Sequence, residues 1–276
     1  MKCRTFGPTG REVPVIGQGT WNMEKGRRRQ VVETIRRGLD LGMIHIDTAE
    51  MYGSGAVEEL VGEAVAGRRD EVFLVSKVLP QNASRRGAVR ACERSLARLR
   101  TGFLDCYLLH WRGSHPLAET FAAFEELRQA GKIRSWGVSN FDEEDLAEAV
   151  RIAGDGRIAC NQVLYHLKER AVEHAVLPTC EEHGIAVVAY SPFGSGRFPK
   201  SPVLAEIAGA RGATPYQIAL AFLTRHPSLF AIPKASDPAH AADNAAAAQI
   251  ELTPEEVHRL DEAFPRGPRR PGMPTL

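Results

Sequence analysis

Four side chains able to move or steer a proton close apolar runs of this chain or follow one directly. Met43 to Gly55 reads MIHIDTAEMYGSG, in which Ile44 and Ile46 are the apolar beads of a strand, Asp47 ends it, and Tyr52 follows in a turn closed by Gly53 and Gly55. VFLVSK ends in Lys77 and LDCYLLH ends in His110. A carboxylate closing a strand sits at the rim of a sheet, because an unpaired charge in the core is costly. Lysine is scarce, seven against 28 arginines, yet Lys77 and Lys234 both end apolar runs. A lysine so placed is buried enough to need a carboxylate and to have its pKa disturbed. Asp47 is expected to keep Lys77 charged and aimed. The ammonium should bring the Tyr52 hydroxyl, ordinarily near about 10, closer to the working range. His110 would hydrogen-bond a substrate oxygen and turn it toward Tyr52. The set is a proton donor beside a polarised carbonyl. No Ser-His-Asp arrangement and no paired carboxylates compete for it. Taken singly, an Asp after a strand commonly caps the next helix and a lone Tyr commonly packs, so the elements that hold these residues matter.

Eight short apolar runs alternate with segments of helical period: Val15 to Trp21, Met43 to Asp47, Val72 to Lys77, Leu104 to His110, Ile133 to Ser139, Ile158 to Gln162, Ile185 to Ser191 and Leu229 to Lys234. The intervening segments carry helix punctuation. Gly42, Gly67 and Gly131 stop three of them, Ser84 and Asp142 are N-caps, and Pro178 suits a first turn. Two helical pieces precede the eighth run and two follow it, about Pro238 to Ala248 and Glu255 to Ala263. Eight such units are what a closed (β/α)8 TIM barrel requires, since parallel strands need long crossovers and a closed ring has no edge. The alternative is an open doubly wound sheet, but its GxGxxG signature is incomplete at Gly17, at Gly53 and at Gly194. The expected architecture is therefore an α/β barrel in one domain, 1–276, with a hairpin cap over 1–14 and extra C-terminal helices. The Pro-rich tail over 265–276 is either mobile or draped over an opening. Polar residues end nearly every run, so they would converge on the C-terminal mouth.

The composition excludes several classes. With 35 basic and 34 acidic residues the net charge is +1, so nothing asks for nucleic acid or an anionic membrane. No apolar run approaches a membrane helix and the N-terminus lacks a signal-peptide core, which suggests a soluble cytoplasmic globule; a monomer is the default expectation. Five scattered cysteines without a CxxC pair indicate neither disulfides nor a metal site, and Cys180 with His183 reads as a structural pair.

GTW (Gly19 to Trp21), DTAEMYG (Asp47 to Gly53), VSK (Val75 to Lys77), LLHW (Leu108 to Trp111), GVSNF (Gly137 to Phe141), NQ (Asn161-Gln162), AYSP (Ala189 to Pro192) and IPKAS (Ile232 to Ser236) occur in the order and spacing of the aldo-keto reductases. Over nearly its whole length the chain resembles that family. The resemblance implies an NADPH-dependent barrel without a Rossmann domain, with Asp47, Tyr52, Lys77 and His110 as catalytic tetrad and Tyr52 as general acid in carbonyl reduction. It also implies cofactor contacts. Ser139, Asn140 and Gln162 would meet the nicotinamide amide, Tyr190 would stack on the ring, and Ser191 and Pro192 would lie along the pyrophosphate near Thr20 and Trp21. Lys234 and Ser236 would meet the 2′-phosphate. Beyond them the chain departs from the usual pattern: an arginine of many members is His240 here and a glutamate is Asp243, while Asn244 is kept. Histidine is less reliably charged and cannot form the bidentate fork, so NADPH is expected to be preferred by a smaller margin.

Trp21 and Trp111 fit an apolar substrate wall. The loop from His110 to Leu117 and the tail after Phe264 are short for this family. An open pocket for small aldehydes and α-dicarbonyls such as methylglyoxal is the expectation, and the wording is similar to that of bacterial members with that activity. Two other readings remain: an NADPH-binding redox sensor with negligible turnover, and a synthase or lyase using Lys77 as a Schiff-base amine.

Overall fold

The computed structural model describes residues 1–270 and 272–276, so of the tail expected to be irregular only Pro271 lies outside the described residues. The chain opens with an antiparallel hairpin of β1 (Cys3–Thr5) and β2 (Glu12–Pro14), in which Cys3 pairs with Pro14. Its single-turn connection, Gly7–Thr9, follows Phe6. That ring is fully buried, with centroids 4.9 Å from Phe73, 5.0 Å from Phe230 and 5.6 Å from His45. The hairpin therefore plugs the N-terminal end of the barrel, as a cap.

Strand and helix then alternate: β3 (Gln18–Gly19), α1 (Arg28–Asp40), β4 (His45–Asp47), α2 (Ala56–Ala64), β5 (Phe73–Val78), α3 (Arg85–Leu99), β6 (Leu104–Leu109), α4 (Leu117–Gln129), β7 (Ile133–Ser139), α5 (Glu143–Ala153), β8 (Ile158–Leu164), α6 (Val176–Glu182) and β9 (Ala186–Tyr190). α7 (Pro202–Ala210) and α8 (Pro215–Leu223) lead to β10 (Leu229–Ala231), and α9 (Pro238–Ala246) and α10 (Pro254–Ala263) complete the order. β3 to β10 form one eight-stranded sheet of sequential neighbours, every pair parallel. Parallel bridges from Ile16 to Ala231 and from Gly19 to Lys234 close it into a barrel. A Cβ on Gly19 would stand 2.5 Å from the Ile232 carbonyl oxygen, so the seam depends on glycine there. Pro233, which has no N–H to give, ends the regular pairing of the last strand early.

Helix starts follow local chemistry. The Ser84 and Asp142 side chains accept from the backbone N–H of Gly87 and Asp145, and Thr214 and Thr253 form capping boxes. α6 begins at Val176, so Pro178 falls inside its first turn. Inside the barrel, Phe73, Val75, Cys106, Leu108, Cys160, Val188 and Phe230 pack as one apolar cluster. The interior is therefore a filled core, and chemistry is confined to its end. Among the described residues no helix is long and apolar enough to cross a membrane.

Candidate active site

Alternation along β4 points His45 and Asp47 the same way, and the next strand brings Lys77 beside Asp47. Both side chains are buried, and Lys77 Nζ lies 2.5 Å from Asp47 Oδ1. The ammonium also donates to the Thr48 carbonyl at 2.9 Å and to Tyr52 Oη at 3.2 Å. Three left-handed residues, Gly53 (φ 55°), Ser54 (φ 53°) and Gly55 (φ 96°), turn the chain sharply after Tyr52 into α2. Two buried glutamates brace this corner. Glu50 Oε1 accepts from Leu79 N at 2.8 Å and Asn82 Nδ2 at 2.9 Å; Glu58 accepts from Ser76 Oγ and Arg98 Nε, each at 2.6 Å. Sequence reading did not single out either one. The only signal was their acidity inside otherwise helical or loop stretches, which is common on surfaces.

Burial raises the Asp47 carboxyl above its usual range, against the pull of Lys77 and the Gln162 amide. Burial also resists the charge on Lys77, yet Asp47 and Tyr52 together hold its ammonium above its ordinary value. At 2.5 Å the geometry favours the charged pair. Tyr52 departs from expectation. Burial outweighs the neighbouring ammonium and raises its pKa, where sequence reading expected a fall toward the working range. The cause is desolvation of the phenolate, which no sequence pattern reveals. His110 closes the fourth side, its ring centroid 5.9 Å from that of Tyr52. Burial, with Lys77 nearby, pushes its pKa down to about 2, so the imidazole is neutral at ordinary pH. Nδ1 is buried without a partner.

Asp47, Tyr52 and His110 floor a cavity of about 800 Å3 at the C-terminal mouth, lined also by Thr20, Trp21, Met51, Trp111, Ser139, Asn140, Gln162, Tyr190, Ser191, Pro192 and Lys234. Trp21 is 41% exposed and Trp111 37%, so both are walls of an opening and not core. Met273, Thr275 and Leu276 lie on the same cavity, so the tail is draped over the opening. Arg269 and Glu143, at 2.5 Å, tie it to α5.

The amide-bearing residues at the ends of β7 and β8 are mutually engaged. Ser139 Oγ donates to the Gln162 carbonyl at 2.8 Å, and Asn140 Nδ2 donates to the His110 carbonyl and to Ser139 Oγ, each at 3.1 Å. Tyr190 Oη donates to Asn140 Oδ1 at 2.9 Å, which holds the phenol ring at the cavity edge. Gln162 Nε2 donates to Asp47 Oδ2 at 2.7 Å, a link across 115 residues of chain that sequence reading missed. Thr20 Oγ1 donates to the Asp47 carbonyl at 2.8 Å. Asn140 (φ 61°) and Ser191 (φ 49°) adopt left-handed backbone conformations, as residues positioned at a site often do. Ser236, His240, Asp243 and Asn244 are not on the cavity wall. Ser236 precedes α9, and His240, Asp243 and Asn244 lie on it. His240 is exposed, Asn244 is buried, and Asp243 accepts from Thr214 Oγ1 at 3.1 Å and Gln217 Nε2 at 2.8 Å. Cys180 is buried in α6, while His183 pairs with Asp155 at 2.9 Å.

A model described as the aldo/keto reductase family matches residues 15–264. The Escherichia coli methylglyoxal reductase YeaE is 47% identical over 260 residues, covering 92% of each chain. An aldo/keto reductase from Klebsiella pneumoniae, solved in complex with NADP and acetate, superposes with a TM-score of 0.94 at 45% identity over the whole of both chains. An aldo-keto reductase from the same organism, in complex with NADPH, gives a TM-score of 0.94 at 46% identity, again over the whole of both chains. With eight parallel strands closed into a barrel and Asp47, Tyr52, Lys77 and His110 gathered at its mouth, the chain belongs to the aldo/keto reductase family.

Proposed function

We propose that residues 1–276 act as one catalytic barrel that reduces small aldehydes and α-dicarbonyls such as methylglyoxal with NADPH, Tyr52 giving the proton. One observation carries the reading: beneath the floor of an open cavity, Lys77 Nζ bridges Asp47 Oδ1 at 2.5 Å and Tyr52 Oη at 3.2 Å. The residues present fit a nicotinamide nucleotide. Tyr190 holds a ring at the cavity edge, Gln162 and Asn140 line the mouth with their amides, and Lys234 lines it with a cation. When bound, the dinucleotide supplies the hydride.

The chain's own residues do the rest. A phenol whose pKa is raised stays protonated at neutral pH, which suits an acid and not a base. As the carbonyl oxygen gains charge, Tyr52 donates its proton and the Lys77 ammonium compensates the phenolate left behind. Asp47 keeps that ammonium in place, and Gln162 keeps Asp47 in place. His110 is neutral, and with its one ring hydrogen on Nε2 it would donate to the substrate oxygen. Lys234, Ser236 and His240 would receive the 2′-phosphate; Asp243, engaged by α8, would shape that end without touching it. The exposed Trp21 and Trp111 supply apolar walls for a small substrate. The methylglyoxal reductase and the NADP-bound structures among the relatives support this choice.

The test is NADPH oxidation at neutral pH with methylglyoxal and 4-nitrobenzaldehyde, native chain beside Tyr52→Phe, with NADPH binding followed separately. Loss of roughly 10² to 10⁴-fold in turnover with binding intact is expected. A native chain that binds NADPH and reduces neither compound is a sensor, and the reductase reading fails.

A further inference from the structure

Resting on the reductase reading, we infer that the acceptor side of the cavity sorts substrates by charge: a guanidinium that could have held a carboxylate, Arg112, is already saturated by two acids of α5. Arg112 lies two residues beyond His110, next to Trp111, and lines the cavity. Its Nη1 is 2.7 Å from Asp145 Oδ1 and its Nη2 is 2.7 Å from Glu148 Oε2. Both terminal nitrogens, the prongs with which arginine grips a carboxylate, are therefore engaged. Asp145 and Glu148 sit three apart on α5, so one face of the helix presents both to the same side chain.

The acids stay where they are because the helix start favours them. Asp142 to Asp145 is an unbroken acidic run over the N-cap and first turn, where the positive end of the helix dipole lies. Asp142 Oδ1 further accepts from Asp145 N at 2.9 Å, and Asp142 lines the cavity as well. One positive side chain, Arg112, is thus paired with two negative ones, and Asp142 adds a third acid to the wall, which is net negative. Among the described residues the cavity's other lining cation is Lys234, at the end of β10 where the dinucleotide phosphate would lie. Lys77 lies beneath the wall and is spent on Asp47. A substrate carboxylate projecting outward from the reacting carbonyl would meet acids and no free cation. Neutral or cationic carbonyl compounds meet no such opposition.

The experiment compares kcat/KM for 4-nitrobenzaldehyde and 4-carboxybenzaldehyde, which differ in ring activation as well as charge, so the salt dependence and the substitutions carry the reading. The native chain is expected to favour the neutral one by about tenfold or more at low salt, a margin that narrows as salt is raised. Asp145→Asn with Glu148→Gln frees Arg112 and should shift the ratio toward the carboxylate by about tenfold; adding Arg112→Met should remove that shift. Equal use of both aldehydes by the native chain, or a ratio unmoved by salt and by the double substitution, overturns the inference and leaves the reductase reading standing. Failure to reduce either aldehyde overturns both.

Discussion

Asp47→Asn keeps the volume of the side chain and an oxygen for Gln162, but leaves the Lys77 ammonium buried without a counter-charge. Nζ would retain only the Thr48 carbonyl and the Tyr52 hydroxyl. Breaking a buried ion pair from one side costs about 3–5 kcal/mol. At about 2 °C per kcal/mol for a barrel of this length, the melting midpoint should fall by roughly 6–10 °C. The pH dependence separates this cause from simple loss of packing. In the native chain Lys77 titrates above its unfolded value, so its stabilisation is complete below about 10.4 and is lost as pH rises through the folded pKa. In the variant the amine's folded pKa lies below the unfolded value. Its penalty is then present at neutral pH and closes as pH climbs. Asp47→Asn with Lys77→Met carries neither charge and should recover most of the loss. Urea unfolding followed by tryptophan fluorescence, near pH 7 and near pH 9.5, reads all three proteins. A single variant within about 1 kcal/mol of native near pH 7, or a double variant no more stable than the single, refutes a charged, mutually dependent pair.

Two further expectations use other groups. His45 is buried against Phe6 and Phe73 with neither ring nitrogen hydrogen-bonded, and burial with Lys77 nearby pushes its pKa down to about 3. A folded pKa below the unfolded one means stability present above about 6.5 and lost as pH falls, so His45→Phe should gain roughly 2 kcal/mol on native between near pH 7 and near pH 5. Parallel stability curves for the two proteins would show that this ring is not held neutral. Lys234→Met should lower kcat/KM for NADPH by roughly 10- to 100-fold, as expected for one charge-assisted bond, while NADH use changes little. Native kcat/KM values equal for the two dinucleotides would sink the proposed phosphate contact.

Much of the fold could be read along the chain. β7 and α3 carry the ends expected for them, and each of the eight apolar runs coincides with one strand of the barrel, although β5 runs on to Val78 and β8 to Leu164, past the ends expected. The runs at the seam were read too long: β3 keeps two residues and β10 three. Pairing there comes down to single bridges between strands that glycine lets approach, and no local propensity reports that. The hairpin was legible as a cap, but the burial of Phe6 within it was not, since only the closed barrel gives that ring a hole to fill.

Chemistry followed the same division. Residue type and the end of a strand were enough to single out Asp47, Lys77 and His110, because a polar group closing an apolar run has nowhere to go but the rim. What they do to one another was decided by packing. The sign of the Tyr52 shift depends on how much water the phenolate loses, which is set by residues from several elements at once. The Gln162 to Asp47 bond and the saturation of Arg112 by α5 join segments far apart in sequence, and short-range patterns carry no signal for such partners. Sequence alone therefore determined which groups reach the mouth of the barrel. Tertiary structure decided their protonation and which of them remain free, because desolvation and pairing are properties of a neighbourhood and not of a residue.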